Sequence, residues 1–345
     1  MTTLAIQYRQ HARRRVFMLA LLTLLLVGSI VVDVALGPSN LGFVDVAQAL
    51  WSPSSVEKAQ QVIVWDVRLP YALMAVVVGA CLGLAGAEMQ TALNNPLASP
   101  FTLGLAAASA VGASTALVMG LSWELGNLNI AVPLSAFVGA AGAALLIQFL
   151  AWRIGAGVET VVLFGIALLF TFEALLWLLQ YIADDNVLQQ IVVWSMGSLT
   201  RATWGKIAIV ATVFALCAVW SGRSTWSLSA LRSGEDQARS LGVAVERVRI
   251  LTLLRVSLVT ATALSFVGTI GFVGLVGPHI ARLLLGEDQR TMLPGAALSG
   301  ALMLSTASIL SKSLVPGVVL PIGIITALVG VPIFLALIWR TRRLT

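Results

Sequence analysis

Between Val16 and Trp339 the chain alternates long apolar runs with short polar breaks. A transmembrane helix needs about 20 mainly apolar residues to cross a hydrocarbon core of roughly 30 Å. On that measure the pattern predicts ten spans. They lie near Val16–Leu36, Pro70–Met89, Phe101–Gly120, Leu128–Trp152, Thr160–Tyr181, Trp204–Ser221, Val248–Val267, Gly271–Leu285, Met292–Lys312 and Ile322–Trp339. The expected fold class is an all-α integral membrane protein. Residues 1–345 form one transmembrane domain, and residues 222–247 form its longest and most charged connection. Two further long connections run from Leu36 to Leu69 and from Ile182 to Thr203.

Charge orients this pattern. Of the 21 Lys and Arg residues, fifteen fall on one side of the alternating spans and five on the other, with Arg255 inside a span. The positive-inside rule then places both termini in the cytoplasm, and the expected setting of such a many-helix bundle is a bacterial inner membrane. Arg9, Arg13, Arg14 and Arg15 precede the first span as they would a signal peptide, but the apolar run exceeds a typical signal core of about 7–15 residues and is read as a retained helix. Only 10% of residues are charged, against about 25% in soluble domains, so the solvent of most of the surface is lipid. The net charge of +6 sits at span ends rather than in one stripe, which argues against nucleic acid as a partner.

Cys81 and Cys217 lie in apolar runs and His11 and His279 are far apart, so no metal or cofactor set is expected. There is no phosphate-binding G-x-x-x-x-G-K-[ST] loop, and no nucleophile–base pair that would make the chain an enzyme. Any nucleotide that powers it must bind another chain.

Several polar features stand out against the apolar pattern. Ser233 and Asp236 have capping-box spacing, Glu235 and Asp236 suit a helix N-terminus, and Gly242 suits its left-handed terminator. The loop therefore predicts a short solvated helix, either a plain connector or a docking element. Gln90 to Pro100 carries two prolines, with Asn94, Asn95 and Ser99 placed to satisfy freed backbone groups. Gly268, Gly271, Gly274 and Gly277 recur every three residues, which suits close helix packing or a tight turn. His279 reads as a structural hydrogen-bonding group. Among carboxylates within spans, Glu173 is the better candidate for a pathway lining, whereas Glu88 lies near the cytoplasmic end and is expected to snorkel.

Taken in order, these segments resemble the FecCD family of permease subunits. The resemblance rests on Arg68-Leu-Pro70, Gly83-Leu-Ala-Gly86, Asn95-Pro-Leu-Ala-Ser-Pro100, Trp194-Ser-Met-Gly-Ser-Leu199, Ala238-Arg-Ser-Leu-Gly-Val243, Gly271 through Arg282, Leu320-Pro-Ile-Gly323 and Thr326 through Pro332. It implies a ten-helix permease of an ATP-driven (ABC) importer for ferric siderophores, haem or cobalamin, with the iron–siderophore branch favoured. Two ATPase subunits would dock at the loop carrying Ser233, Glu235, Asp236, Ala238, Arg239, Leu241 and Gly242. A periplasmic binding protein would dock through Arg68 and Lys312. A gate would lie at the turn Ala156–Thr160, including Glu159 and Thr160, with Glu173 along the pathway.

The chain departs from the family pattern at Tyr71, Gln289, Ser308, Lys312 and Val319. Aspartate is usual at 308 and pairs with an arginine at 312. Loss of both suggests pairing with a second, different permease chain. Two rival readings remain at this stage: a secondary transporter with Glu173 as its relay, and a membrane enzyme, for which no polar cluster is seen.

Overall fold

The computed structural model describes residues 2–37, 41–125, 128–154 and 158–342. The first helix, α1, runs Thr2–Ala35. A short amphipathic α2 (Phe43–Trp51) follows, then α3 (Lys58–Val62), which continues through a π-helical stretch, Ile63–Arg68, into α4 (Leu69–Ala92). The π segment precedes Pro70, whose missing N–H cannot serve a normal ladder. The predicted outer loop before Leu69 is thus largely helical; Gln60, Gln61, Asp66 and Arg68 broke its apolar run and hid the extension.

The remaining helices are α5 (Leu105–Val118), α6 (Ala131–Ile154), α7 (Val158–Ile182), α8 (Asp185–Ser195), α9 (Trp204–Arg223), α10 (Thr225–Arg232), α11 (Glu235–Ser240), α12 (Val245–Val267), α13 (Val273–Leu285), α14 (Gln289–Ser313) and α15 (Ile322–Arg342). Glu124–Leu125 and Leu128–Asn129 pair as a two-residue antiparallel ribbon between α5 and α6.

Among the described residues, seven helical segments are long and apolar enough to cross a membrane, and Leu105–Val118, Val273–Leu285 and Ile322–Ala336 are shorter apolar helices. Each predicted span overlaps one of these ten. The second extends furthest beyond its predicted bounds, starting at Lys58, whereas the third falls short of its own. Gly104, left-handed at φ 76°, starts α5 late, and its 14 residues reach about 21 Å. Before it, Leu97 N–H donates to Asn95 Oδ1 (2.9 Å), and Ser99 and Thr102 satisfy each other's backbone, as the Gln90–Pro100 composition predicted.

The centre of the bundle is α4, with 78% of its most apolar window buried, against 11% for α7 at the periphery. Small residues explain the position. Gly79 and Gly83 of α4 meet Ala296 and Gly300 of α14, and Gly86 meets the backbone of Gly274 in α13. A Cβ on Gly86 would fall 1.8 Å from the Gly274 carbonyl oxygen. Backbone-on-backbone contact of this kind drives helix association where lipid removes the hydrophobic incentive.

Of the Gly268–Gly277 tract, the first glycine ends α12 at φ 82°, and Gly274 and Gly277 face α4 and α14. Both readings of its spacing are realised. At the same end, Ser198 N–H donates to Val267 O (2.7 Å), Ile322 N–H to Gly197 O (3.1 Å) and Gly323 N–H to Met196 O (3.0 Å). These bonds tie the exit of α8, the end of α12 and the start of α15 into one node.

Candidate functional site

Charged side chains collect at three levels of the bundle. In its interior, Glu88 of α4 and Arg255 of α12 are each 1% exposed and form a forked ion pair. Arg255 Nε donates at 3.0 and 2.8 Å to the two carboxylate oxygens, and Nη2 donates to Oε1 at 2.6 Å. The Arg255 guanidinium also lies 5.2 Å from the Trp220 ring centroid. The expectation that Glu88 snorkels is corrected: α9, α10 and α12 close over this end of α4, leaving no water to reach. Cys81 and Cys217 are buried free thiols, as expected.

At the end of the bundle carrying α2 and α8, α1 presents Ser29 and Asp33 one turn apart to α14. Ser29 Oγ lies 2.9 Å from Ser305 Oγ. Asp33, fully buried, accepts from Ser308 Oγ at 2.8 and 2.7 Å and pairs with Lys312 Nζ at 2.6 Å. The ammonium also sits 4.8 Å from the Tyr71 ring centroid, and Tyr71 Oη lies 3.4 Å from Ser311 Oγ. Arg68 donates to the last carbonyls of α1, Val34 O (3.2 Å) and Ala35 O (2.8 Å), where the helix dipole favours a cation.

Arg68 and Lys312 therefore lie at the same end of the bundle, with side chains turned into it. Asp33 was missed because one carboxylate in Val-Val-Asp-Val-Ala barely dents an apolar span. It supplies to Lys312 the carboxylate that Ser308 does not, so the changes at 308 and 312 are balanced within the chain and give no ground for a different partner chain.

Asp33→Asn should leave Lys312 buried and unpaired, at a cost of about 3–5 kcal/mol. Combining Asp33→Ser with Ser308→Asp moves the carboxylate across to α14 and should restore most of the loss, read as the midpoint of thermal unfolding in detergent. A double variant no more stable than the single one counts against this pairing.

The third level is the end carrying α10 and α11. The predicted capping box is not formed. Gly234, at φ 117°, precedes α11, and Ser233 Oγ turns back to Ser229 O. Ser233 ends α10 instead, because only the glycine adopts the backbone that separates the two helices. The terminator does hold: Gly242 is left-handed at φ 80°, with Val243 N–H on Ala238 O and Gly242 N–H on Arg239 O, both 3.0 Å. Ala238 is fully buried in a small core with Ala230, Leu231, Val243 and Val245, so Ser233, Asp236, Arg239, Leu241 and Gly242 stand exposed above it.

Ion pairs tie this unit to the bundle. Arg249 of α12 binds Glu235 and donates from Nε to Ala92 O (3.2 Å), the last turn of α4. Arg239 bonds Glu246 at 3.1 Å, and Arg232 pairs with Glu287 beyond α13. The Arg232 guanidinium holds the Glu287 carboxyl below the usual carboxylate range, so this link persists in mild acid and is lost only as pH falls through the lowered value. Arg282 donates to Gln90 Oε1 (2.9 Å), and Gln289 donates to Thr91 Oγ1 (3.2 Å). His279 is half-buried, and its Nε2 makes no hydrogen bond among the described residues.

A cavity of about 640 Å³ opens between this unit and α7, lined by Asn94, Asn95, Glu159, Leu231, Glu235 and Arg249 among others. Glu159 and the half-buried Thr160 begin α7; the turn before them, including Ala156, lies outside the described residues. Glu173 is half-buried on α7, beside an outward stripe of Leu163, Phe170 and Trp177, each more than 60% exposed. Val319 is half-buried before Leu320.

Comparison with known proteins agrees with this architecture. The FecCD transport family model matches residues 23–340. The hemin transport system permease protein HmuU of Yersinia pestis is 36% identical over 315 residues, covering 91% of this chain and 94% of that one. The "probable siderophore transport system permease protein YfhA" of Bacillus subtilis is 35% identical over 325 residues, 91% of each. A solved structure described as "an inward-facing conformation of a putative metal-chelate type ABC transporter" superposes with a TM-score of 0.82 at 32% identity, covering 94% of this chain and 99% of that one. With matches of this extent, the chain belongs to the FecCD transport family, the multi-pass membrane permeases of ABC importers.

Proposed function

We propose that the chain carries an iron–siderophore complex from periplasm to cytoplasm, crossing the bacterial inner membrane ten times with both termini inside. The charge asymmetry of its connections supports the orientation. The siderophore reading draws on the metal-chelate and siderophore relatives, with hemin as the competing cargo. Other subunits hydrolyse ATP, and this chain converts their closure into movement of its helices. The exposed face of Asp236, Arg239, Leu241 and Gly242 receives the ATPase. A second permease chain meets the exposed stripe of α7, which places Glu173 beside the shared axis. The binding protein docks at the opposite end, where Arg68 and Lys312 brace the rim by fastening α1.

One observation carries this reading: Glu235 of the docking unit and Glu159 at the start of α7 line the same cavity. Displacement of α11 would change the shape of that cavity and so reach the start of α7. Glu235→Lys reverses the contact with Arg249, and is expected to cut transport by roughly ten-fold or more, as loss of a charge-assisted bond of about 1.5–3 kcal/mol implies. Uptake of a radiolabelled ferric siderophore into proteoliposomes holding the permease, its ATPase and binding protein is the measurement. Uptake by the permease alone would mean a secondary transporter instead. Uptake of hemin in place of the siderophore would reassign the cargo. Co-expression of this chain with the ATPase alone distinguishes a homodimer from a mixed pair.

A further inference from the structure

At the α8 end lies a cavity of about 520 Å³ that takes no part in the transport reading. Gln189, Gln190 and Trp194 of α8 form one wall, and Arg201 and Lys206 form another. Among the described residues, neither cation has a carboxylate at ion-pair distance. Lys206 Nζ donates to the Arg201 carbonyl oxygen (2.8 Å). The Arg201 guanidinium sits 5.9 Å from the Trp194 ring centroid, and its Nε and Nη2 are buried without a hydrogen-bond partner. Buried N–H groups of a cation left unsatisfied are costly, so the site is built for a ligand that brings acceptors and negative charge.

A second cavity of about 310 Å³ shares Pro133, Ser265 and Phe266 with the first. It is a groove between α6, α9 and α12, walled by Leu134, Phe137, Ile209, Val213 and Leu258. Leu134, Ile209 and Leu258 are about two-fifths exposed, so the groove is open along the bundle's flank. The two hydroxyls beside it are engaged with their own helix: Thr262 Oγ1 donates to Leu258 O (2.8 Å) and Ser265 Oγ to Thr262 O (2.8 Å). The groove therefore offers an almost wholly apolar lining. Depth follows the same order. Arg201 precedes α9 and Lys206 lies in its first turn, while Val213 is seven residues on, about 10 Å deeper along the helix.

We propose that these joined cavities bind an anionic phospholipid, its phosphodiester headgroup on Arg201 and Lys206 and one acyl chain in the α6–α9–α12 groove. Cations at the level of the helix ends with an apolar slot directly beneath reproduce the polar-to-apolar order of such a lipid. Neither a free anion nor an acidic side chain of a docking protein would need the slot.

The test uses the full permease, delipidated in mild detergent, with thermal unfolding followed during titration with dioleoyl phosphatidylglycerol, dioleoyl phosphatidylcholine or inorganic phosphate. Phosphatidylglycerol is expected to raise the midpoint. The Arg201→Gln and Lys206→Gln variants should need about ten-fold more of it, the equivalent of one lost charge-assisted bond. Arg201→Lys should retain part of the response. Leu134→Trp, which fills the groove, should weaken dioleoyl phosphatidylglycerol but spare its short-chain dihexanoyl analogue.

Equal responses to both lipids, or to neither, overturn the proposal. A full response to inorganic phosphate assigns the site to a free anion instead. An unchanged lipid response in Arg201→Gln, with weakened binding-protein affinity, assigns it to a partner's carboxylate. Should Arg201→Gln fail to fold, the half-buried Lys206→Gln decides the same question.

Discussion

Arg255→Met should destabilise the protein by about 3–5 kcal/mol, because it leaves the Glu88 carboxyl buried in the bundle interior without its partner. Glu88 has nowhere to turn, being 1% exposed under α9, α10 and α12. The pair itself adds little net stability, since desolvating two ions offsets most of their attraction. The informative comparison is therefore with the double variant Glu88→Leu/Arg255→Met. It removes both charges, keeps the volume apolar and should recover most of the loss. Thermal midpoints in detergent, with size-exclusion profiles to report aggregation, rank the three proteins. A single variant as stable as the double would show that water or another group reaches Glu88.

Gly86→Leu is expected to prevent the native bundle from forming. Even the Cβ of alanine at this position would stand 1.8 Å from the Gly274 carbonyl oxygen and 2.6 Å from its carbon, atoms of a second helix rather than of a yielding side chain. Overpacking usually costs about 1–3 kcal/mol where neighbours relax, and here they cannot without parting α4 from α13. Gly142 of α6 provides the control, since a Cβ there would meet nothing within 4 Å. Gly142→Ala should be neutral or stabilising by up to about 1 kcal/mol, from helix propensity alone. If Gly86→Leu folds and unfolds at the same midpoint as Gly142→Ala, the close contact of α4 with α13 is not what holds the centre.

Most of the bundle was legible because lipid demands long apolar helices, and little else in a sequence mimics them. Departures arose where local chemistry competed with that demand. The start of α5 was read too early because Phe101 is apolar, whereas the left-handed backbone at Gly104 sets the boundary. The helix α8 was overlooked although Asp184, before Val187, Leu188 and Ile191, is a cap signal; its side chain does accept from Val187 N–H at 2.9 Å. The capping box at Ser233 failed because spacing cannot foresee the φ of 117° at Gly234.

Site residues divide in a similar way. The sequence places Glu235 and Glu159 on separate elements, and only the fold puts them on one cavity. The pairs Glu88–Arg255 and Asp33–Lys312 join residues more than 160 positions apart. A lone charge in a span announces that a partner exists, but not which one. Arg255 was such a signal.

The node joining α8, α12 and α15 is made mainly of main-chain bonds from Ser198, Ile322 and Gly323, with the Thr269 hydroxyl donating to Ser195 O beside them. Alanine scanning would touch only that hydroxyl. Its sensitive points are the glycines: a Cβ at Gly268 would fall 2.2 Å from Trp194 O, and one at Gly323 would fall 2.4 Å from Met196 O. Three helices tied through their backbones at one end cannot part there without breaking those bonds. An opening at this end of the permease is expected to swing them together, as a single leaf.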